Sequence, residues 1–219
     1  MEQRKPVTIL IADDHPVFRK GLRDIISEEN RFAVVGDTGD GGNVLELLRE
    51  LKPDVLLLDL NMPGTNGLDV AASIQHENIP IRVVVLTMHK EEAVFNKVMD
   101  LGARGYVIKE SAVQDILESI NAVVNDEYYI SPSLSQYLLK RRTKAETLFH
   151  EHPGLGDLSD SERKILKLIS ENRSSKDIAD QLFISIRTVE NHRMNICNKL
   201  RLHGSNGLLK FAIENKSSL

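Results

Sequence analysis

Five short apolar runs punctuate the first 128 residues: Val7–Ala12, Phe32–Val35, Asp54–Leu58, Arg82–Leu86 and Gly105–Ile108. Between them, apolar residues recur at helical spacing, as in Val17/Phe18/Leu22/Ile25/Ile26 and Val44/Leu45/Leu47/Leu48/Leu51. A further helical stripe, Val113/Ile116/Leu117/Ile120/Val123/Val124, follows the last run. The first, third and fourth runs are continuously apolar rather than alternating. That is the pattern of strands covered by helices on both faces. A strand followed by a helix, five times over, predicts a doubly wound α/β domain with a five-stranded parallel sheet over residues 5–128.

Residues 129–156 read as a linker. Ser131-Pro132 suits a helix start, Leu134/Tyr137/Leu138 can dock on a neighbour, and Lys140-Arg141-Arg142 and Pro153-Gly154 look solvated. Residues 157–219 carry only helical patterns, predicting a small all-α domain. Ser159-Asp-Ser-Glu162 has the form of a capping box. Ser174 or Ser175 opens a second short helix, Ser185 a third with Val189/Ile196/Leu200, and Leu208–Ile213 a fourth.

Composition narrows the class. The chain has 219 residues, 41% hydrophobic and 27% charged, which excludes dominant disorder. No apolar run approaches the roughly 18 residues of a membrane span. After Met1–Pro6, Asp13-Asp14 interrupts any stretch of signal-peptide length, so a cytoplasmic protein is expected. The single Cys197 excludes an intramolecular disulfide and offers no zinc framework. Charge divides unevenly: residues 1–138 hold 13 Lys+Arg against 22 Asp+Glu, whereas residues 153–219 hold 11 against 8. An acidic front and a mildly basic back predict different partners for the two parts.

The chemistry gathers at the strand ends. Asp13 and Asp14 follow the first strand, Asp59 ends the third, Thr87 the fourth and Lys109 the fifth. In the 2-1-3-4-5 strand order of flavodoxin-like and CheY-like folds, the carboxyl ends of strands 1 and 3 are neighbours lining the ligand crevice. Three carboxylates would then converge. At an effective dielectric near 20, each pair about 4 Å apart repels by roughly 4 kcal/mol, which demands a cation: a lysine, a metal, or both. All-oxygen ligands favour Mg²⁺ over zinc or copper. One strand-end aspartate commonly does no more than cap the next helix, but five such residues on four strand ends are the parts for phosphoryl transfer to a carboxylate. Asp59 is the nucleophile in that reading, with Thr87 and Lys109 holding phosphoryl oxygens. No G-x-x-x-x-G-K-[ST] sequence exists, so ATP is not the obvious donor.

Asp13-Asp14, Asp59-x-x-Met62-Pro63-x-x-x-Gly67, Thr87 and Lys109 together resemble the receiver domain of two-component response regulators. The resemblance implies that a partner histidine kinase donates phosphate to Asp59. It also implies that Mg²⁺ is held by Asp59, Asp14 and the main-chain carbonyl of Asn61, with Asp13 acting largely through water. Thr87 and Tyr106 match the family's switch pair, Thr87 turning toward the phosphoryl and Tyr106 packing inward behind it. An ordinary half-buried strand residue is the competing reading of Tyr106. His15 and His89 flank the expected pocket as rim histidines without a metal role.

In the last segment, Ser174–Leu182, a short turn and Ser185–Leu200 have helix–turn–helix spacing. Leu158-Ser-x-x-Glu162, Lys176-Asp-Ile-Ala179, Leu182-x-Ile-Ser185, Arg187-Thr-Val189, His192-x-x-x-Ile196 and Lys199-Leu200 resemble the LuxR-type DNA-binding domain of NarL/FixJ-class regulators. Mapped onto it, Glu190, Asn191 and Met194 fall at base-facing positions. Asn191 suits adenine, Glu190 cytosine N4 and Met194 a thymine methyl, although Glu190 is equally suited to pairing with Arg193. Thr188, Arg193 and Lys199 are expected at phosphates, and Arg187 is a further candidate. Two positions depart from the family: Asn172 replaces a usual glycine and Ser175 a usual asparagine, predicting a different turn before the second helix. The glycines of Arg201–Gly207 are expected to fray the last helix, at about 1 kcal/mol for an interior glycine. That helix commonly forms the family's dimer contact.

The whole chain therefore reads as a transcription factor, not an enzyme, in which phosphorylation of Asp59 switches homodimerisation and binding to double-stranded DNA. RNA polymerase is a further candidate partner. Three rivals stay open on sequence alone. One is a phosphatase or phosphotransferase using an aspartyl phosphate, although Asn61 stands where its second carboxylate belongs. Another is a regulator that binds DNA without phosphorylation, and the third is a pure protein-interaction adaptor.

Overall fold

The computed structural model describes residues 5–203, 206–216 and 219. The expectations that touch residues 1–4 and Gly204 lie outside them. Residues 1–137 and 138–219 form two compact units.

In the first unit, β1 (Val7–Ala12), β2 (Phe32–Thr38), β3 (Val55–Asp59), β4 (Arg82–Thr87), β5 (Gly105–Ile108) and β6 (Tyr129–Ile130) form one sheet in the order β2-β1-β3-β4-β5-β6. Every pairing is parallel. Side-chain alternation splits the core in two. Ile9, Ile11, Val55, Leu57, Val84, Leu86 and Val107 meet α1 (Pro16–Ser27) and α5 (Ala112–Val124) on one face. Leu10, Leu56, Leu58, Val83, Val85 and Tyr106 meet α2 (Val44–Leu51), α3 (Gly67–His76) and α4 (Glu92–Asp100) on the other. Continuously apolar strands are thus the direct consequence of helices on both faces.

The sheet has six strands where the sequence pattern predicts five. β6 has only two residues and no apolar run of its own. Its pairing is defined by neighbours, Tyr129 N–H donating to the Arg104 carbonyl (3.0 Å) and Ser131 N–H to the Tyr106 carbonyl (2.9 Å). The expected linker is ordered in a second way: Ser135–Glu151 form the helix α6. Its basic, weakly amphipathic sequence hides it from a periodicity reading, but Arg142 and Glu146 pair along it at 2.8 Å. Leu134 is buried, and Tyr137 stacks at 5.9 Å from Phe95.

The second unit holds the rest of α6 with α7 (Asp160–Ser170), α8 (Ser175–Leu182), α9 (Ile186–Leu200) and α10 (Gly207–Glu214). Leu148, Ile165, Ile169, Ile178, Val189, Ile196, Leu200 and Phe211 make its core. Three serines start the helices: Ser159 and Ser174 in reciprocal capping boxes with Glu162 and Asp177, and Ser185 accepting from Thr188 N–H. Asn172, at φ 61°, takes in the turn before α8 the left-handed conformation that glycine adopts most readily. α10 starts at Gly207 without a side-chain cap at Asn206.

Candidate functional site

The pocket is assembled by chain geometry at the carboxyl ends of β1, β3, β4 and β5. Asp13 follows β1, is fully buried, and donates its N–H to the Thr38 carbonyl (3.0 Å). Asp59 closes β3, buried, with one carboxylate oxygen accepting the Asn61 N–H (3.2 Å). The close approach of α3 makes this possible. A Cβ on Gly67 would stand 2.1 Å from the Asp59 carbonyl oxygen, so only glycine lets the helix start against the strand end.

Lys109 reaches both acids, its Nζ 2.7 Å from Asp59 Oδ2 and 2.8 Å from Asp13 Oδ2. Its ammonium also lies 5.1 Å from the centroid of the Phe18 ring. This is one of the cations that the carboxylate cluster demands. Burial pushes the Asp59 carboxyl above the ordinary aspartate value. Hydrogen bonds from Lys109 and the Asn61 N–H oppose that shift, and the charge of Asp13 adds to it.

Asp14 is more exposed and pairs with His15 Nδ1 at 2.7 Å. Ligand atoms of Asp13, Asp14, His15 and Asp59 all lie within 4.8 Å of one another. Asp13 Oδ2 and Asp14 Oδ1 are buried atoms that accept no hydrogen bond of good geometry, although each has a cationic or titratable nitrogen close by. Hard oxygen donors with unused lone pairs fit a small divalent cation.

The rest of the expected set surrounds them. The Thr87 hydroxyl is buried and accepts the His89 N–H (3.0 Å). Tyr106 is fully buried rather than half-buried. It packs edge-on to Phe95 at 5.3 Å, and its hydroxyl donates to the His89 carbonyl (3.1 Å). Thr87 and Tyr106 therefore grip the same residue from both sides. His89 also bridges to the Asn61 side chain (3.1 Å) and to Glu91 (3.2 Å).

Sequence reasoning missed Arg19, which donates to the Asp13 carbonyl (2.5 Å) and to Asp37 (2.7 Å). One of three basic residues inside an amphipathic helix, it gives no signal of its target in the sequence.

In the second unit, Ser185 starts α9, and Arg187, Glu190, Asn191 and Met194 are exposed along it. Thr188 and Arg193 are half-buried, and the Thr188 hydroxyl lies 2.7 Å from that of Ser185. Lys199 is exposed, its ammonium near the Glu162 carboxylate (2.7 Å) and the Asp157 carbonyl (3.0 Å). Its partner Glu162 is buried.

Comparison with known proteins decides the family. Residues 9–121 match the response regulator receiver domain and residues 157–212 the luxR family of bacterial regulatory proteins. The chain belongs to the NarL/FixJ class of response regulators. Among its relatives, a nitrate/nitrite response regulator homologue of Haemophilus influenzae is 34% identical over 195 residues, 89% of this chain and 90% of that protein. The oxygen regulatory protein NreC of Staphylococcus haemolyticus is 34% identical over 216 residues, covering 95% and 97%. RcsB of Salmonella enterica serovar Typhimurium, solved bound to promoter DNA in the presence of phosphomimetic BeF₃⁻, superposes with a TM-score of 0.58 at 28% identity, covering 94% and 98%. This response regulator is accordingly a phosphorylation-dependent, DNA-binding transcription regulator and not an enzyme. No helix among the described residues is long and apolar enough to cross a membrane.

Proposed function

We propose that Asp59 is the phosphoacceptor and that a partner histidine kinase is its donor. A carboxylate oxygen of Asp59 attacks phosphorus, the phosphorus–nitrogen bond to the donor histidine breaks, and the imidazole leaves with the bonding pair and takes up a proton. The observation that carries this reading is the convergence of Asp59 and Asp13 on the single Lys109 ammonium, with the Thr87 hydroxyl on the adjacent strand end. Once Asp59 carries the phosphoryl group as an acyl phosphate, the negative charge lies on the phosphoryl oxygens. Lys109 and the Thr87 hydroxyl are placed to follow that charge. Asp14, Asp59 and the Asn61 carbonyl, with Asp13 through water, would hold Mg²⁺, which when bound neutralises the charge gathering on the phosphoryl oxygens.

Thr87 carries the switch outward. Drawing its hydroxyl toward a phosphoryl group breaks its contact with the His89 N–H, and the His89 carbonyl is the anchor of Tyr106. An added charge of about −1.5 to −2 thus acts on a two-sided clamp. The output is binding of a cytoplasmic homodimer to two half-sites about one helical turn apart. Thr188, Arg193 and Lys199 would contact phosphates, with Arg187 a further DNA-binding residue, and Glu190, Asn191 and Met194 base edges. RNA polymerase is the downstream partner in this reading.

Selection of binding sites from random duplexes tests it, using wild type and Asp59→Ala, each with and without Mg²⁺ and phosphoramidate. A two-half-site sequence enriched more strongly only by phosphorylated wild type is expected. Equal enrichment under every condition would refute the switch.

A further inference from the structure

A buried polar network lies behind the pocket, on the side of β5 away from Asp59. Lys109 sits in a 3₁₀ turn, Lys109–Ser111, and each end of that turn is tied to one carboxylate oxygen. On one side the Ile108 N–H donates to Ser131 Oγ (3.0 Å), and Ser131 Oγ–H donates to Asp115 Oδ2 (2.7 Å). On the other, Ser111 Oγ–H donates to the same Asp115 Oδ2 (2.7 Å). Ser131 N–H completes the link by donating to the Tyr106 carbonyl. Asp115 and Ser131 are both buried, so these bonds are not exchanged for water at no cost.

We propose that Asp115 and Ser131 are positioning residues for phosphoryl transfer at Asp59, acting through Lys109, and that residues 129–131 are therefore part of the phosphoryl site. The inference rests on Asp59 being the acceptor. Its physical basis is lever length. Lys109 meets two acids at 2.7 and 2.8 Å through a flexible four-carbon stem. Its ammonium stays there only if the backbone from which it springs is fixed. The two serine hydroxyls fix that backbone from both ends through a single carboxylate.

The arrangement also gives the pocket a mechanical outlet. Ser131 immediately precedes the Pro132–Leu134 turn and α6, the helix that leaves this unit. Any shift of the Lys109 turn on phosphorylation is passed through Ile108 N–H and Ser131 to the start of α6.

The test uses the full-length protein, Mg²⁺ and phosphoramidate, with phosphorylation rates read on phosphate-affinity gels. Ser131→Ala is expected to slow labelling about tenfold, the scale of a modest misplacement of a charge-stabilising group. Ser131→Thr, which restores the hydroxyl, should return the rate to within about twofold of wild type. Lys109→Ala should be slower than either, and adding Ser131→Ala to it should change nothing further. Wild-type rates in Ser131→Ala, or multiplicative losses in the double variant, would overturn the proposal, because the serine would then not act through Lys109. Asp59→Asn separates the two readings. Label retained in that variant overturns the assignment of Asp59 whatever Ser131 does, and an unlabelled wild type overturns both. If Ser131→Ala melts before it can be assayed, the Ser131→Thr and Asp115→Asn variants decide. Both keep an acceptor or hydroxyl in place, and a tenfold loss in Ser131→Thr would count against the mechanism.

Discussion

Lys109 is the charge on which the pocket's stability turns, and Lys109→Met removes it at nearly constant volume. In the structure its Nζ lies 2.7 and 2.8 Å from two buried carboxylates. At an effective dielectric near 20 each contact is worth about 6 kcal/mol of attraction before desolvation. Without the lysine, Asp13 and Asp59 are left with ligand atoms within 4.8 Å of each other, repelling by about 3.5 kcal/mol at that separation. Breaking a buried pair in this way costs about 3–5 kcal/mol once relaxation is allowed. The variant is therefore expected to lose that much stability at pH 7 in EDTA, and Asp59→Asn added to it should recover about half.

Urea denaturation followed by tyrosine fluorescence isolates the relevant unit. All four tyrosines lie between residues 106 and 137, and the chain has no tryptophan. The pH dependence has a definite sign. The folded-state pKa of Asp59 is raised, so its ionisation opposes folding. The stability of the neutral form is fully present below the ordinary aspartate value and is lost as pH rises through the raised one. The deficit of Lys109→Met should accordingly shrink as pH falls into that window. A loss below about 1 kcal/mol, or no recovery with Asp59→Asn, would refute the electrostatic account.

Three other outcomes follow from local geometry. Gly67→Ala places a Cβ 2.1 Å from the Asp59 carbonyl oxygen, so α3 must retreat; a loss of about 3 kcal/mol in the same fluorescence assay is expected, together with slower labelling by phosphoramidate. Glu162→Ala removes the acceptor of the Ser159 N–H and the partner of Lys199, and should cost about 2–3 kcal/mol, read as faster amide exchange in α7 and α9. Burial alone would raise the Glu162 carboxyl, but hydrogen bonds from Lys199 and Ser159 outweigh it and hold it low. Its contribution is present above the ordinary glutamate value and should vanish as pH falls through the lowered one. Burial first, then the charge of Asp115, pushes the Tyr129 phenol up to about 12. Stability should fall as pH rises from about 10 to 12, and Tyr129→Phe should abolish that component of the loss, with tyrosinate absorbance as the monitor.

What the sequence determined by itself is the part of this protein written in local rules. Continuously apolar strands spaced by helical stripes specify a parallel sheet covered on both faces. Serines three residues ahead of Glu162, Asp177 and Thr188 mark three helix starts. Polar residues placed directly after apolar strands identify Asp13, Asp59, Thr87 and Lys109, because strand ends are where a parallel sheet opens. Tertiary structure alone decided the remainder. β6 exists only because Arg104 and Tyr106 offer carbonyls to a two-residue segment too short to carry a pattern. α6 was hidden by its charges, and Lys199 finds Glu162, 37 residues earlier, only because folding sets the two side by side. Asp115 and Ser131 look like ordinary polar residues until folding buries both on one oxygen. Periodicity reports which face of an element meets the core. Which distant partner a buried polar group finds depends on how the chain closes, and there the energetic cost of an unpaired group leaves little choice.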